Sequence, residues 1–352
     1  MLPDTAPVRK GEELDRAQLA TYLSGKLEGV QDGIEIEQFP GGHSNLTYCL
    51  RIGGKEYVLR RAPLGPVAPK AHDMARECRI LEAVSPFFPQ APKPYLVCED
   101  PGVLGAVFFI MERRRGVILR HGIPGPILAQ PDYAHRISEA FMNCFAALHA
   151  VDVTQPSLAG LGKPEGFVER QVKGWSERWV RARTEEMPRA DQVMAWLAAL
   201  IPPSGPPTLV HNDYKLDNVM FPLGSNGASI DRVEAVLDWE MTTIGDPMID
   251  VGLTLCYWTH ATDPRVSGGG VPAFTNGPGW YTREEFIEAY TLKTGRAVDT
   301  LGYHEVLGVF KLAVILQQIY YRFWKGQTTD ERFRHFDKRV RALVDIAHGL
   351  IQ

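Results

Sequence analysis

From Ile34 to about Met111, apolar and polar residues alternate with a period near two, which predicts a small sheet. The runs IEIEQF from Ile34 and NLTYCLRI from Asn45 read as strands, Gly53-Gly54 as a tight turn, and EYVLRR from Glu56 as the second arm of a hairpin. Pro63, Pro66 and Pro69 then punctuate a loop. From about Ala71 to Val84 the pattern changes: Met74, Cys78, Ile80 and Leu81 recur at roughly helical spacing, and Pro86 closes the helix. The apolar run Val103 to Met111 is short enough for a buried strand, and burial must stop at Glu112, Arg113, Arg114, Arg115 and Gly116. The first lobe is therefore expected to span residues 1–112 and the second 113–352.

Beyond about residue 130 the period becomes helical. Ile137, Ala140, Phe141, Cys144, Phe145 and Leu148 form one apolar stripe ending at His149, and similar stripes run through Phe167 to Val180 and Val193 to Leu200. A long helix is expected from about Glu305 to Trp324, and a last one near Arg332 to Leu350. Between them lies a strand-loop-strand insert, TLVHNDYKLDNVMF from Thr208, followed by VEAVLDWE from Val233. Residues 202–207 and 267–279 are rich in Gly and Pro and read as exposed loops. The pattern predicts an α+β, bilobal protein: a β-rich first lobe with one main helix and a larger, mainly α second lobe.

Composition narrows the function classes. The 352 residues carry 38 Lys and Arg against 42 Asp and Glu, a net charge of -4, so no overall basic field favours nucleic acid. The five cysteines, Cys49, Cys78, Cys98, Cys144 and Cys256, form no CxxC pair and read as reduced, mostly buried thiols. The longest uninterrupted apolar run, Val103 to Met111, is about half of what a membrane helix needs, so no membrane partner is expected. The N-terminal residues show no secretory pattern, and a cytoplasmic location is expected.

The sharpest chemical signal is His211, Asp213 and Asn218 in the spacing H-x-D-x4-N, flanked by Leu209, Val210, Val219, Met220 and Phe221. The next strand ends at Leu237 and delivers Asp238, beside Asn218 if the two strands form a hairpin. Asp and Asn in turns commonly serve only as turn formers, and for each residue alone that reading stays open. Together they match what phosphoryl transfer requires: a carboxylate near the nucleophilic hydroxyl, and an amide with a second carboxylate to hold Mg²⁺ against phosphates.

With FPGGHSNLTY, YVLRR, HNDYKLDNVMF and LDWEMTTIGDPMIDVG in that order, the chain resembles the aminoglycoside phosphotransferase family of the protein-kinase-like superfold. It is most similar to the branch that also occurs as the kinase-like half of long acyl-CoA dehydrogenases. The resemblance implies an ATP- and Mg²⁺-dependent O-kinase with ATP between the lobes. It implies Asp213 as the catalytic carboxylate, His211 as a scaffold of the catalytic loop, and Asn218 and Asp238 as Mg²⁺ ligands. Lys215 falls where many protein kinases place a lysine that touches the γ-phosphate, or is a plain surface lysine. Gly41, Gly42, Ser44 and Asn45 would let the backbone approach the phosphates. Arg60 stands where the superfold has its strand lysine, with Arg61 as a rival cation next door, and Glu77 on the following helix is the natural ion-pair partner. Met111, Glu112 and Arg114 resemble the hinge that offers backbone groups to adenine, and Asp246 and Asp250 resemble braces of the catalytic loop or of a helix start. Trp175, Trp179, Trp258, Tyr257 and Tyr320 are core residues or line a substrate pocket.

Only seven residues separate Asp238 from Asp246, leaving no long activation segment, and Asn212 replaces the arginine that would read a phosphorylated loop. The expected acceptor is therefore a small molecule. The branch implies the hydroxyl of a hydroxyacyl-CoA; an aminoglycoside is the alternative, as is a nucleotide-binding module without activity. With no flavin-binding feature, no dehydrogenase activity is expected.

Overall fold

Gly53 and Gly54 both adopt left-handed backbone (φ 55° and 75°), the pair of conformations that turns one strand directly into the next. The hairpin so formed, β2 (Leu46–Ile52) with β3 (Lys55–Arg61), runs in register from Leu46 opposite Arg61 to Ile52 opposite Lys55. The computed structural model describes residues 4–40, 45–63, 73–120, 122–224, 227–259 and 275–352. They fall into two units, Met1–Gly116 with Glu234–Glu240, and Val117–Val233 with Met241–Gln352.

In the first unit β1 (Ile34–Gln38), β4 (Pro94–Cys98) and β5 (Phe108–Glu112) complete an antiparallel sheet in the order β1-β2-β3-β5-β4. Side chains alternate across it. Tyr48, Leu50, Ile52, Leu59, Phe108 and Ile110 form one apolar cluster with Leu19 and Leu23 of helix α1 (Arg16–Leu23). The opposite face carries α2 (Met74–Val84), whose N-cap Asp73 accepts the N–H of Arg76 at 2.8 Å. The run Val103 to Met111 is not one strand. Asp100 caps a helical turn at Pro101–Leu104, Gly105 ends it at φ 80°, and only Phe108–Glu112 is extended. Nor does a single cut at residue 112 divide the chain, because the first unit runs on to Gly116 and takes in Glu234–Glu240. That segment is held by Trp239, which is buried, packs edge-on against Phe88, and donates from its indole to Val236 O at 2.8 Å. Only Ala235–Val236 of it is extended.

The second unit is mainly helical: α3 (Tyr133–His149), α4 (Phe167–Ala182), α5 (Pro188–Ala199), α6 (Pro247–Tyr257), α7 (Arg283–Thr294), α8 (Leu301–Trp324) and α9 (Phe336–Gly349). Among them lie strands β6 (Thr208–Val210), β7 (Val219–Gly224) and β8 (Thr243–Gly245), with β8 antiparallel to β6. α1, β4, β8, α6 and α7 carry too short or too uniform an apolar pattern to be read from periodicity, although α7 has the sequence mark of a capping box, Thr282 with Glu285. The last helix begins at Phe336, after a separate turn at Glu331–Phe333. All five cysteines are buried and free.

Helix α8 has the length and composition to cross a membrane, which a search for unbroken apolar runs misses because His304, Glu305, Lys311 and Gln317 interrupt it. Most of it is buried, packed against α4, α6 and α9. The contact with α6 is close enough to exclude side chains: a Cβ on Gly252 would stand 2.4 Å from the carbonyl oxygen of His304. Gly252→Ala should therefore lower stability by about 1–3 kcal/mol, as other overpacked cores do. Urea unfolding should show a lower midpoint at unchanged slope; an unchanged midpoint would mean the two helices separate freely.

Candidate active site

Alternation along β3 sends Arg60 and Arg61 to opposite faces. Arg61 is buried and donates to Leu104 O at 2.9 Å and to the Tyr48 hydroxyl at 3.3 Å, a structural tie. Arg60 takes the α2 face, where Nη1 meets Glu77 Oε1 at 2.6 Å and Nη2 meets Asp238 Oδ1 at 3.1 Å. Of the two rival cations, Arg60 is thus the one that joins the carboxylates. Burial works against its charge, but Glu77 and Asp238 outweigh that and hold the guanidinium more firmly protonated than usual. Burial pushes the Glu77 carboxyl up to about 7 against the opposing pull of Arg60. Asp238 is one of three non-glycine residues with positive φ (68°) among the described residues, and its side chain is 37% exposed, open enough to bind a further partner.

The neighbouring side chains are arranged around the same segment. Asn45 Nδ2 lies 3.3 Å from Glu240 Oε2, and Arg76 donates to the Glu240 carbonyl. Gly41, Gly42 and Ser44 lie outside the described residues. At the expected hinge, Glu112 donates its backbone N–H to Lys93 O at 2.7 Å, so that donor is already used. Arg114 pairs with Glu112 and Glu234 at 3.0 and 3.4 Å.

In the second unit the H-x-D-x4-N loop connects β6 to β7. Asn218 gives its amide group to Asp213 twice, to the backbone oxygen at 2.9 Å and to Oδ2 at 2.8 Å, which leaves Oδ1 as the amide atom suited to a cation. Lys215 Nζ stands 2.9 Å from the same Oδ2 and 4.9 Å from the Tyr257 ring centroid. Its side chain is 21% exposed, too covered for a plain surface lysine. Burial opposes its charge, but Tyr257, Asp213 and Asp217 prevail and raise its pKa above the ordinary lysine value.

The loop is anchored from below. His211 is fully buried, and its backbone N–H and that of Asn212 both donate to the Asp250 carboxylate at 2.6 Å. His149 Nε2 lies 3.3 Å from Asp250, and its Nδ1 lies 2.8 Å from the Tyr290 hydroxyl. Asn212 adopts φ 65° and is fastened by its Nδ2 to Met241 O at 3.0 Å. Asp246 is the N-cap of α6, accepting Met248 N–H at 2.9 Å. Asp250 is a loop brace and Asp246 a helix cap, so the two readings offered for this pair divide between them.

Beside Lys215 lies a small pocket, open to solvent, lined by Phe141, Leu216, Asp217, Thr254, Tyr257 and Trp258. Of the five aromatic residues weighed from the sequence, Tyr257 and Trp258 line this cavity, while Trp175 and Trp179 belong to the helical core. His149, Tyr290 and Lys311 belong to no motif of the sequence. A charged residue inside the apolar stripe of α8 was the available sign for Lys311.

A five-stranded antiparallel unit followed by a helical unit with this loop defines the protein-kinase-like class of fold. The sequence model of the APH phosphotransferase enzyme family matches residues 35–286, and the chain belongs to that family. Acyl-CoA dehydrogenase family member 10 of Mus musculus is 32% identical over 350 residues, covering 98% of this chain and 32% of its own length. The chain spans less than half the length of the curated relatives it matches. A solved structure from Ralstonia eutropha, provisionally assigned as an aminoglycoside phosphotransferase, superposes with a TM-score of 0.79 at 29% identity over 96% of this chain and 98% of that one. A thermostable mutant of APH(4)-Ia, solved with AMP-PNP and hygromycin B, shares the fold at TM-score 0.59 and 17% identity, covering 95% of this chain and 98% of that one.

Proposed function

We propose that the protein transfers the γ-phosphoryl group of ATP to the hydroxyl of a small molecule, with Asp213 as the carboxylate that orients the hydroxyl and accepts its proton. The observation that carries this is the Asp213 side chain, held by Asn218 Nδ2 at 2.8 Å and Lys215 Nζ at 2.9 Å on a loop braced by Asp250. A carboxylate so fixed loses little freedom on meeting the hydroxyl. The neighbouring ammonium is placed to offset negative charge on the transferred group. Arg60, oriented by Glu77, is the cation for the other phosphates.

Asn218 on the second unit and Asp238 on the first each offer an oxygen of the kind Mg²⁺ takes, and the ion accepts one or two protein oxygens with phosphate and water in the rest of its shell. When bound, the ion would supply charge neutralisation for the phosphates.

For the acceptor we favour a hydroxyacyl-CoA over an aminoglycoside. Relatives over nearly the whole chain are named for acyl-CoA dehydrogenation. The cavity beside Lys215 is mostly aromatic and aliphatic with Asp217 as its one carboxylate, a better lining for an acyl chain than for a polycation. ADP release with Mg·ATP across 3- and 4-hydroxyacyl-CoAs, free hydroxy acids and aminoglycosides should show turnover on the thioesters. Turnover confined to aminoglycosides would reverse the choice of acceptor. Mg·ATP should also raise the melting temperature of the native protein and do so less for Asp238→Ala; equal shifts with and without Mg²⁺ in both proteins would favour a nucleotide-binding module instead.

A further inference from the structure

Lys311 lies inside the apolar stripe of α8, 2% exposed. Among the described residues no carboxylate lies within salt-bridge distance of it. Its ammonium is directed at one residue, Asn212: Nζ lies 2.9 Å from the backbone oxygen and 3.5 Å from Oδ1. The indole of Trp175 stands on another side, its ring centroid 5.4 Å from Nζ. A buried cation costs several kcal/mol unless something compensates it, so its position calls for a reason. Asn212 is held at φ 65°, which side-chain-bearing residues rarely adopt. Three outside groups fasten it: Asp250 accepts its N–H, Met241 O accepts its side-chain amide, and the Lys311 ammonium donates to its carbonyl.

We propose that Lys311 is a positioning residue: its ammonium locks the Asn212 carbonyl, fixing the peptide that leads into Asp213 and so the direction of that carboxylate. This rests on the reading of Asp213 given above. The Asn212 carbonyl belongs to the peptide unit whose N–H is that of Asp213, so rotating the one turns the other. Lys311 reaches the reaction only through this peptide.

The ammonium is a stronger donor to the Asn212 carbonyl than the neutral amine, which gives the proposal a signature in pH. Burial lowers the Lys311 pKa to about 8, with Asp213 and Asp250 opposing the fall and Lys215 adding to it. Cys256 of α6, His304 of α8 itself and Arg178, stacked on Trp175 of α4, are the other titratable or charged groups nearby. Between about 8 and the usual lysine value of 10.5 the unfolded chain binds the proton and the folded chain does not, so this group makes folding stability rise with pH. Over the same window the lock weakens and kcat falls. Stability and activity then move in opposite directions, which a merely structural lysine would not produce.

The test compares the wild type, Lys311→Met and Lys311→Arg in the full chain. Lys311→Met should lower kcat ten- to a hundredfold with KM for ATP within twofold, and should speed hydrogen exchange of the amides of residues 211–213 about tenfold. Lys311→Arg, always charged, should recover part of kcat and move the alkaline limb upward. A folded Lys311→Met with unchanged exchange and unchanged kcat overturns the proposal; so does an alkaline limb that Lys311→Arg leaves in place, a result that holds even where Lys311→Met fails to fold. If Asp213→Ala proves as active as the wild type, the reading of Asp213 fails, and exchange at residues 211–213 still decides whether Lys311 locks the loop.

Discussion

Asp213→Ala should lower kcat by about 10²–10⁴, the usual worth of a positioned general base, while the protein remains folded. Both halves follow from its surroundings. The side chain is 21% exposed; of its two side-chain partners, buried Asn218 keeps its bond to the Asp213 backbone oxygen at 2.9 Å and Lys215 is itself 21% exposed, so neither is left without a polar neighbour. The loss should fall on kcat and kcat/KM equally, because the proton is taken only as the hydroxyl attacks. Asp213→Asn keeps the shape but cannot accept the proton, and should be nearly as slow. Initial rates of ADP release with whichever acceptor the panel turns over, alongside thermal melting, give the answer. Either variant retaining a third of wild-type kcat would remove Asp213 from the role of base.

Asp250→Ala should be the most damaging single change to stability, by about 3–5 kcal/mol, the range seen when one partner of a buried charged network is removed. Its carboxylate is 1% exposed and accepts two backbone N–H groups at 2.6 Å, those of His211 and Asn212. The alanine would leave both donors buried without an acceptor and His149 without a neighbour on one side. Asp250→Asn retains a single acceptor oxygen and should fall between the two. Urea unfolding measures the effect directly, and a midpoint within 1 kcal/mol of wild type in Asp250→Ala would show that water or a shifted loop replaces the carboxylate. A variant that still folds should lose kcat as well, since the loop that carries Asp213 is anchored through these two N–H groups.

The local sequence determined most of what is local. Alternating residues from Ile34, the Gly53-Gly54 pair and the helical stripes at Tyr133–His149 and Phe167–Ala182 specify their elements because side-chain period and turn chemistry act over a few residues. The H-x-D-x4-N spacing likewise announces a rigid polar loop, since five residues suffice for Asn218 to fold back on Asp213. What the sequence left open was settled by contacts between residues far apart in the chain. Arg60 and Arg61 are equivalent in pattern, and only the sheet's pairing with α2 on one side makes Arg60 the partner of Glu77 and Asp238. Asp238 lies 178 positions from Arg60, and Trp239 packing on Phe88 is what carries it to the first unit. Lys311 lies 99 positions from Asn212, and in sequence it is an interruption of an apolar stripe. Such pairings depend on how helices and sheets stack, where burial of whole faces decides and the identity of a single residue does not. Periodicity reports which side of an element is buried; the neighbour that a buried charge will meet is fixed only when the tertiary structure closes around it.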